Sequence, residues 1–398
     1  MSDDGAPDHG APDLARMHRE RHGRLVGSIR DQGFDAIMLL GQGNVSYATG
    51  TRVVASDQAR AIHRRPLALV TADGEAPHVW TWYPDGVPAW LPPDRVHPGL
   101  DLECDDGARA LLDALPAGRV GIDEVTMPVR TALRAADRDV GDAGPALAVA
   151  KGVKTSDELA CIRRAQAINE AAIAALLPHV VPGVTGIELS GQFLESIFAL
   201  GATANNVDPI WQAMPATIAE GPWSGTGGLV FPLSADDRPF VEDDLVWVDN
   251  GLAYEGYMSD YGHTWVVGRD PDALQRDQAR RWRDLVGAVL AVVRAGASAR
   301  DLTRAAIEAV GSASAGRPWL PHLYLAHGSG TESAEPPFVG TDLGDEFDET
   351  IVLEAGNVIV LEPVIWDDGH GGFRAEQIVA VTATGWTPLS HLRWDGWE

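Results

Sequence analysis

A chain of 398 residues is longer than one ordinary domain needs, and its 45% hydrophobic content is enough to bury two cores. Its formal charge of −26 argues against nucleic acid or an anionic membrane surface as a partner. Its two cysteines, Cys104 and Cys161, share no Cys-x-x-Cys spacing, which excludes a disulfide scaffold and a thiolate zinc site and fits a reducing cytoplasm.

The first 13 residues, MSDDGAPDHGAPD, are acidic and rich in Gly and Pro, without the apolar centre of a signal peptide, and are expected to be a disordered leader. No apolar run approaches the roughly 20 residues a membrane helix requires, so a soluble cytoplasmic protein is expected. Apolar residues at Leu14, Met17, Leu25, Val26 and Ile29 recur near every third and fourth position, which predicts a helix that Gly33 stops. FDAIMLLG (34–41) reads as a buried strand, NVSYATG (44–50) as a short turn, and 66–82 as a strand pair around Asp73-Gly74. A helix at 107–115, a strand at 119–124 and a helix at 128–136 follow. This alternation predicts an α/β domain over residues 14–150.

AVAKGVK (148–154) marks the expected boundary, and residues 151–398 form the second domain. Thr155 and Glu158 make a capping box that opens a long helix over 156–177, and Pro182-Gly183 separates it from a second at 186–200. A Gly-, Pro- and Trp-rich stretch (202–231) comes next, then a hairpin, a helix pair at 271–295 and 299–313, and a loop-rich segment at 316–341. Residues 350–389 are strand-dominated, so this half is expected to be α+β.

The hairpin LVWVDNGLAYEGYMSDYGHTW (245–265) organises the second half. An apolar strand delivers Asp249, and Asp260 follows eleven residues later, past Gly251 and Gly256. A ladder would set the two carboxylates side by side, where they repel unless a proton or a metal lies between them. Carboxylate oxygens suit hard divalent ions such as Mn²⁺ and, with an imidazole, Zn²⁺ or Fe²⁺. The alternative is a pair of solvated aspartates. Three more residues of ligand type follow: His327 in LAHGSG, Glu362 in VIVLEPVI and Glu376 in FRAEQIVAV, both glutamates bordering apolar strands.

The order Asp, Asp, His, Glu, Glu and its local motifs resemble the pita-bread metallopeptidase superfamily, in its creatinase, prolidase and aminopeptidase P branch. DAIMLLGQGNVSYATG resembles the N-terminal α/β domain of that branch, and KGVKTSDELACIRRAQAINEAA the helix that opens its catalytic domain. The resemblance implies two divalent ions (Mn, Fe, Zn or Co), Asp260 and Glu376 bridging them, Asp249 on one, and His327 with Glu362 on the other. It also implies a homodimer, a small-molecule substrate, and Arg374 beside the metal-site carboxylates, where it also stands as a substrate-binding residue.

The chain departs from the peptidase pattern. Ala334 stands where a second histidine follows His327 by seven, Leu323 where another precedes it by four, and Phe231-Pro232 where a third precedes Asp249. His263 replaces the usual arginine of the second aspartate motif. Those histidines move protons and hold the tetrahedral intermediate. Glu335, Glu332 and His263 are therefore taken as catalytic substitutes, and Trp223 and His322 as substrate-binding residues. The expected activity is C–N hydrolysis or a lyase-type elimination on a small amino-acid-like or zwitterionic metabolite, as in the metal-dependent dimethylsulfoniopropionate lyase. The alternatives are an Xaa-Pro peptidase with substitute histidines and a metal-binding protein without turnover.

Overall fold

The computed structural model describes residues 11–52, 65–207, 209–217, 237–310, 324–394 and 396–398. The chain separates into two compact units, Met1–Glu158 and Leu159–Glu398. Most of the expected leader, residues 1–10, lies outside the described residues.

The first unit opens with α1 (Leu14–Asp31), whose first turn is capped where the Asp13 carboxylate accepts from the Arg16 N–H at 2.9 Å. Its six strands are β1 (Ala36–Leu39), β2 (Leu67–Thr71), β3 (His78–Thr81), β4 (Val96–Pro98), β5 (Val120–Ile122) and β6 (Val140–Asp142), in the order β4-β3-β2-β1-β5-β6. Central β1 runs antiparallel to β2 and parallel to β5, and all four of its residues are buried. Alternation along it explains the uninterrupted apolar run. Ile37 and Leu39 pack with Leu25, Val45 and Leu147 on one face. Ala36 and Met38 pack with Leu111, Val129 and Leu133 on the other. Those partners lie on α1 and on α2 (Gln42–Thr49), α3 (Asp105–Ala114), α4 (Met127–Ala135) and α5 (Gly144–Gly152).

One expectation is corrected here. The segment read as a turn at 44–50 is helix α2, and the end of α5 runs into the stretch expected to mark the boundary. Both are short and rich in small residues, and the Tyr47 hydroxyl links them by donating to the Ala150 carbonyl at 2.6 Å.

His18 on α1 is buried and stacks on Trp90 with ring centroids 5.7 Å apart. Burial, with the Arg21 charge adding to it, holds its pKa down at about 4 against an ordinary 6.5. Between those values the unfolded chain binds a proton that the folded chain refuses. The stabilisation is thus complete above about pH 6.5 and is lost as pH falls towards 4. Urea melts at pH 7 and 4.5 should show wild type losing about 2 kcal/mol more than His18→Asn, after allowance for partial solvent access.

Helix α6 (Ser156–Leu176), which runs from the last residues of the first unit into the second, begins on the expected capping box: the Thr155 N–H donates to Glu158 at 2.7 Å, and the Glu158 N–H donates to the Thr155 hydroxyl at 3.2 Å. A second capping box, Thr185 with Glu188, opens α7 (Gly186–Ala199). Ile168, Ile173 and Phe193 of this pair pack against Val246, Val248 and Trp211. Those three belong to a sheet ordered β12-β9-β8, from β8 (Ile210–Ala213), β9 (Leu245–Asn250) and β12 (Tyr261–Val266). Beyond β9 the chain forms β10 (Leu252–Tyr254) and β11 (Tyr257–Met258), which pair with each other, and β10 also pairs with β7 (Ala204–Asn205). The β10–β11 turn has positive φ at both Glu255 (50°) and Gly256 (83°), the geometry that matches strand twist in a tight hairpin.

A second helix pair, α8 (Ala273–Val292) and α9 (Ala299–Val310), shares a core with a larger antiparallel sheet. That sheet contains β13 (Ala326–Gly328), β14 (Glu335–Val339), β15 (Val358–Leu361), β18 (Gln377–Val381) and β19 (Trp386–Pro388), in the order β14-β13-β15-β18-β19. A separate ribbon pairs β16 (Val364–Asp367) with β17 (Gly371–Arg374). Trp282, Leu285, Ile359, Phe373 and Val379 meet in the shared core. The segment expected to be loop-rich thus contributes two paired strands, with a register irregularity between His327 and Gly328. Its Gly and Pro residues hide strands that are held by neighbours and not by local propensity.

Candidate metal centre

Asp249 and Asp260 are not direct cross-strand partners, which corrects the side-by-side expectation. The Cα partner of Asp249 is Gly262, and Asp260 lies two residues away, just before β12. Positions 260 and 262 share a face, so the two carboxylates approach on a diagonal. A Cβ built at Gly262 would overlap Glu376 Oε1 and Arg374 Nη1, so glycine leaves the space those side chains occupy. Gly262→Ala is accordingly expected to cost about 1–3 kcal/mol by overpacking, read as a lower urea midpoint.

The larger sheet supplies the other three residues. His327 is the middle residue of β13, Glu362 follows β15, and Glu376 precedes β18. Leu361 pairs with Gln377, so the two glutamates leave adjacent strands side by side. The Glu376 N–H donates to the Gly262 carbonyl at 3.1 Å, which joins this edge to β12. Arg374 is fixed to the same strand: its N–H donates to the Thr264 hydroxyl at 2.9 Å, and that hydroxyl donates to the Arg374 carbonyl at 2.8 Å.

The five predicted residues converge. Oxygens of Asp249, Asp260 and Glu376 all lie within 4.8 Å of one another. His327 Nε2 is 2.9 Å from Glu362 Oε1 and 3.4 Å from Asp260 Oδ2, while its Nδ1 faces the Gly328 carbonyl at 2.8 Å. A ring fixed through Nδ1 and aimed through Nε2 is the usual preparation of a ligating histidine. His327, Glu362 and Glu376 are all buried.

Electrostatics describe a group short of positive charge. Four carboxylates share the space with one guanidinium and one imidazole. Burial pushes the Asp249 carboxyl up to about 7, with Arg374 pulling against it and Asp260 and Glu362 adding to it. Burial likewise drives Glu376 well above its ordinary value. Burial alone would lower His327, but Glu362 and Asp260 outweigh it and hold the imidazole well above its usual value. Glu376 Oε2 is buried and has no hydrogen-bond partner among the described residues. A buried carboxylate oxygen in that position is costly unless a cation takes it. The oxygen-rich donor set with one imidazole therefore fits a divalent ion.

Two predicted roles change. Arg374 Nη2 lies 3.2 Å from Asp249 Oδ2 and 2.6 Å from Glu376 Oε1 and also pairs with Glu362, while its guanidinium carbon sits 4.4 Å from the Trp247 ring centroid. A fully enclosed guanidinium committed to three carboxylates orients them and does not reach out to bind substrate. His263 is one step from Gly262 along β12, so its side chain takes the opposite face, away from the carboxylates. There it stacks on Trp265 at 4.9 Å and meets Phe373, Trp394 and Trp397 at 5.5–6.3 Å. It is not a catalytic residue of this centre.

Glu335 begins β14 as a buried residue opposite Gly328, the neighbour of His327. Glu332 is half-buried in the connecting loop, its carbonyl accepting from the Gly330 N–H at 3.1 Å. Trp223 and His322 lie outside the described residues. Tyr324 was missed: its ring stands edge-on to His327 at 5.3 Å, and burial, then Glu362 and Asp260, raise its phenol far above its ordinary value. A tyrosine three residues from a histidine offered no periodic signal, because 324 precedes the strand.

The described arrangement, an α/β domain followed by helices packed on antiparallel sheets, is the pita-bread class of the prolidases and Xaa-Pro aminopeptidases. The fold matches the prolidase of Pyrococcus horikoshii OT3 with a TM-score of 0.74 at 21% identity, covering 94% of this chain and 99% of that one. It matches the X-Pro aminopeptidase of Thermotoga maritima MSB8 with a TM-score of 0.74 at 19% identity, covering 94% and 98%. The chain belongs to metallopeptidase family M24, whose model matches residues 160–383. Peptidases of that family depend on divalent metal. The Xaa-Pro dipeptidase of Pyrococcus furiosus is 29% identical over 233 residues, 58% of this chain and 61% of that protein. The uncharacterised peptidase YqhT of Bacillus subtilis is 27% identical over 242 residues, 60% and 62%. The matches thus span about six-tenths of the length of these curated relatives. Among the described residues no helix is long and apolar enough to cross a membrane.

Proposed function

We propose that this chain is a metal-dependent hydrolase that cleaves a C–N bond in a small, dipeptide-sized or amino-acid-like substrate. The observation that carries the reading is the convergence of Asp249, Asp260 and Glu376 within 4.8 Å, with His327 and Glu362 alongside, in a chain of family M24. These five residues would hold one or two divalent ions, with Mn, Fe, Zn or Co suited to the donors. Bound metal supplies Lewis-acid polarisation of a carbonyl and activation of water. The protein's own groups do the rest. Arg374 holds three carboxylates in register, and its own Nη2 contacts leave it no part in proton transfer. Glu335, buried beside Gly328, is the carboxylate we assign to moving a proton, because Ala334 offers no imidazole. Tyr324, its ring 5.3 Å from that of His327 and its phenol raised above its ordinary value, is the group we assign to donating towards substrate oxygen.

A panel of Xaa-Pro and other dipeptides, assayed with Mn²⁺, Co²⁺ and Zn²⁺ and again after chelation, tests the reading. Metal-dependent release of amino acid is the expected result. Bound metal with every dipeptide returned intact would overturn it and favour elimination on a zwitterionic metabolite, with Glu335 as the base.

A further inference from the structure

We infer that Asn169, on α6, is a positioning residue that gauges the separation of Asp249 and Asp260. The inference rests on the metal-site reading above and assigns a further residue to that site. Both contacts of its carboxamide nitrogen go to the residues that flank the aspartates on the inside of the hairpin. Nδ2 donates to the Asn250 carbonyl at 2.7 Å and to the Ser259 hydroxyl at 3.0 Å. Asn250 directly follows Asp249, and Ser259 directly precedes Asp260. One side-chain nitrogen therefore ties the Asn250 backbone to the Ser259 side chain, the residues next to the two aspartates.

The rest of the environment makes this tie rigid. Asn169, Asn250 and Ser259 have no measurable exposure. The Ser259 hydroxyl also accepts from the Leu252 N–H at 3.1 Å, and the Asn250 side-chain oxygen accepts from the Ile210 N–H at 2.8 Å. One helical turn earlier, Gln166 Oε1 accepts from the Asp260 N–H at 3.3 Å. Gln166 and Asn169 share a face of α6, three residues apart, so a single rigid helix contacts both arms of the hairpin. The orientation of the Asn169 amide is determined by its partners, since a reversed amide would set oxygen against the Asn250 carbonyl. Two buried polar groups in an alanine-rich helix need a reason, and holding the aspartate pair supplies one.

Groups that orient ligands from behind typically change metal affinity about 10- to 100-fold when removed. The test is titration calorimetry with Co²⁺ on the full chain, together with the visible absorption of the Co²⁺-loaded protein, which reports coordination geometry. Asn169→Leu should bind Co²⁺ about 10- to 100-fold more weakly with an altered band, and Ser259→Ala, which removes one of the two Asn169 bonds along with the hydroxyl's bonds to Leu252, should fall between it and wild type. Folded variants that match wild type in both affinity and band would overturn the inference, and if Asn169→Leu does not fold, Ser259→Ala decides. A wild-type protein that takes up no Co²⁺ would sink the metal reading instead. Hydrogen exchange of residues 249–262 in the metal-free variants then judges the gauge by itself: faster exchange supports it and unchanged exchange overturns it.

Discussion

Arg374→Met is expected to destabilise the second unit by about 3–5 kcal/mol, the cost of breaking a buried ion pair by removing one partner. The substitution keeps length and apolar volume but strands Asp249, Glu362 and Glu376 beside one another without their guanidinium. It also removes the cation that lies over Trp247. Part of the loss should return when Mn²⁺ is added, because a divalent ion bound only by the folded state stabilises it by mass action, about 2.7 kcal/mol at a hundredfold excess over Kd. Urea titrations with and without Mn²⁺ measure both quantities. An Arg374→Met protein as stable as wild type in chelator would show that the carboxylates need no resident cation.

Asp260→Asn should separate stability from metal binding. Asp260 lies within reach of Asp249 and Glu376 and also 3.4 Å from His327 Nε2, so it serves both sides of the centre. Amidation removes one of four mutually repelling carboxylates, and the metal-free variant should be as stable as wild type or slightly more so. Its affinity for Mn²⁺ should nevertheless fall by at least about 100-fold, and metal-dependent dipeptide cleavage by about a thousandfold, equivalent to about 4 kcal/mol of lost transition-state stabilisation. Calorimetry and a dipeptide assay on the same preparation read the two effects. Unaltered Mn²⁺ affinity would remove Asp260 from the donor set.

The long, strongly patterned elements were legible in the sequence. The periodicity of α1 and the Thr155–Glu158 box of α6 predict helices that the structure contains. What escaped were elements made of small or breaking residues: α2 in GQGNVSYATG, the end of α5 in AVAKG, and β13–β14 in AHGSGTESAEPPFV. Their stability comes from tertiary partners, such as the Tyr47–Ala150 contact, which no local window contains. The candidate centre was legible for the same reason in reverse. A charged residue ending an apolar strand is an anomaly that stands out locally, as with Glu362 in VIVLEP. The assignment of His263 failed because proximity in sequence ignored the two-residue alternation that turns it from Gly262 towards Trp265. Asn169 was invisible because its partners lie 81 and 90 residues further along the chain.

The spread of the acidic group along the chain has a consequence for how the protein is made. Its four carboxylates arrive with β9, β12, β15 and β18, from residue 249 to residue 376, with His327 on β13 between them. Synthesis runs from the N-terminus, so the first unit and the α6–α7 pair can fold while most of these residues are still untranslated. Asp249 and Asp260 emerge early without their counter-charges, and only the pairing of β15 with β18 brings Glu376 beside Glu362. On the proposed metal reading, the full donor set would exist only once β15 and β18 have paired, so metal added after synthesis should load the already folded chain as well as metal present throughout.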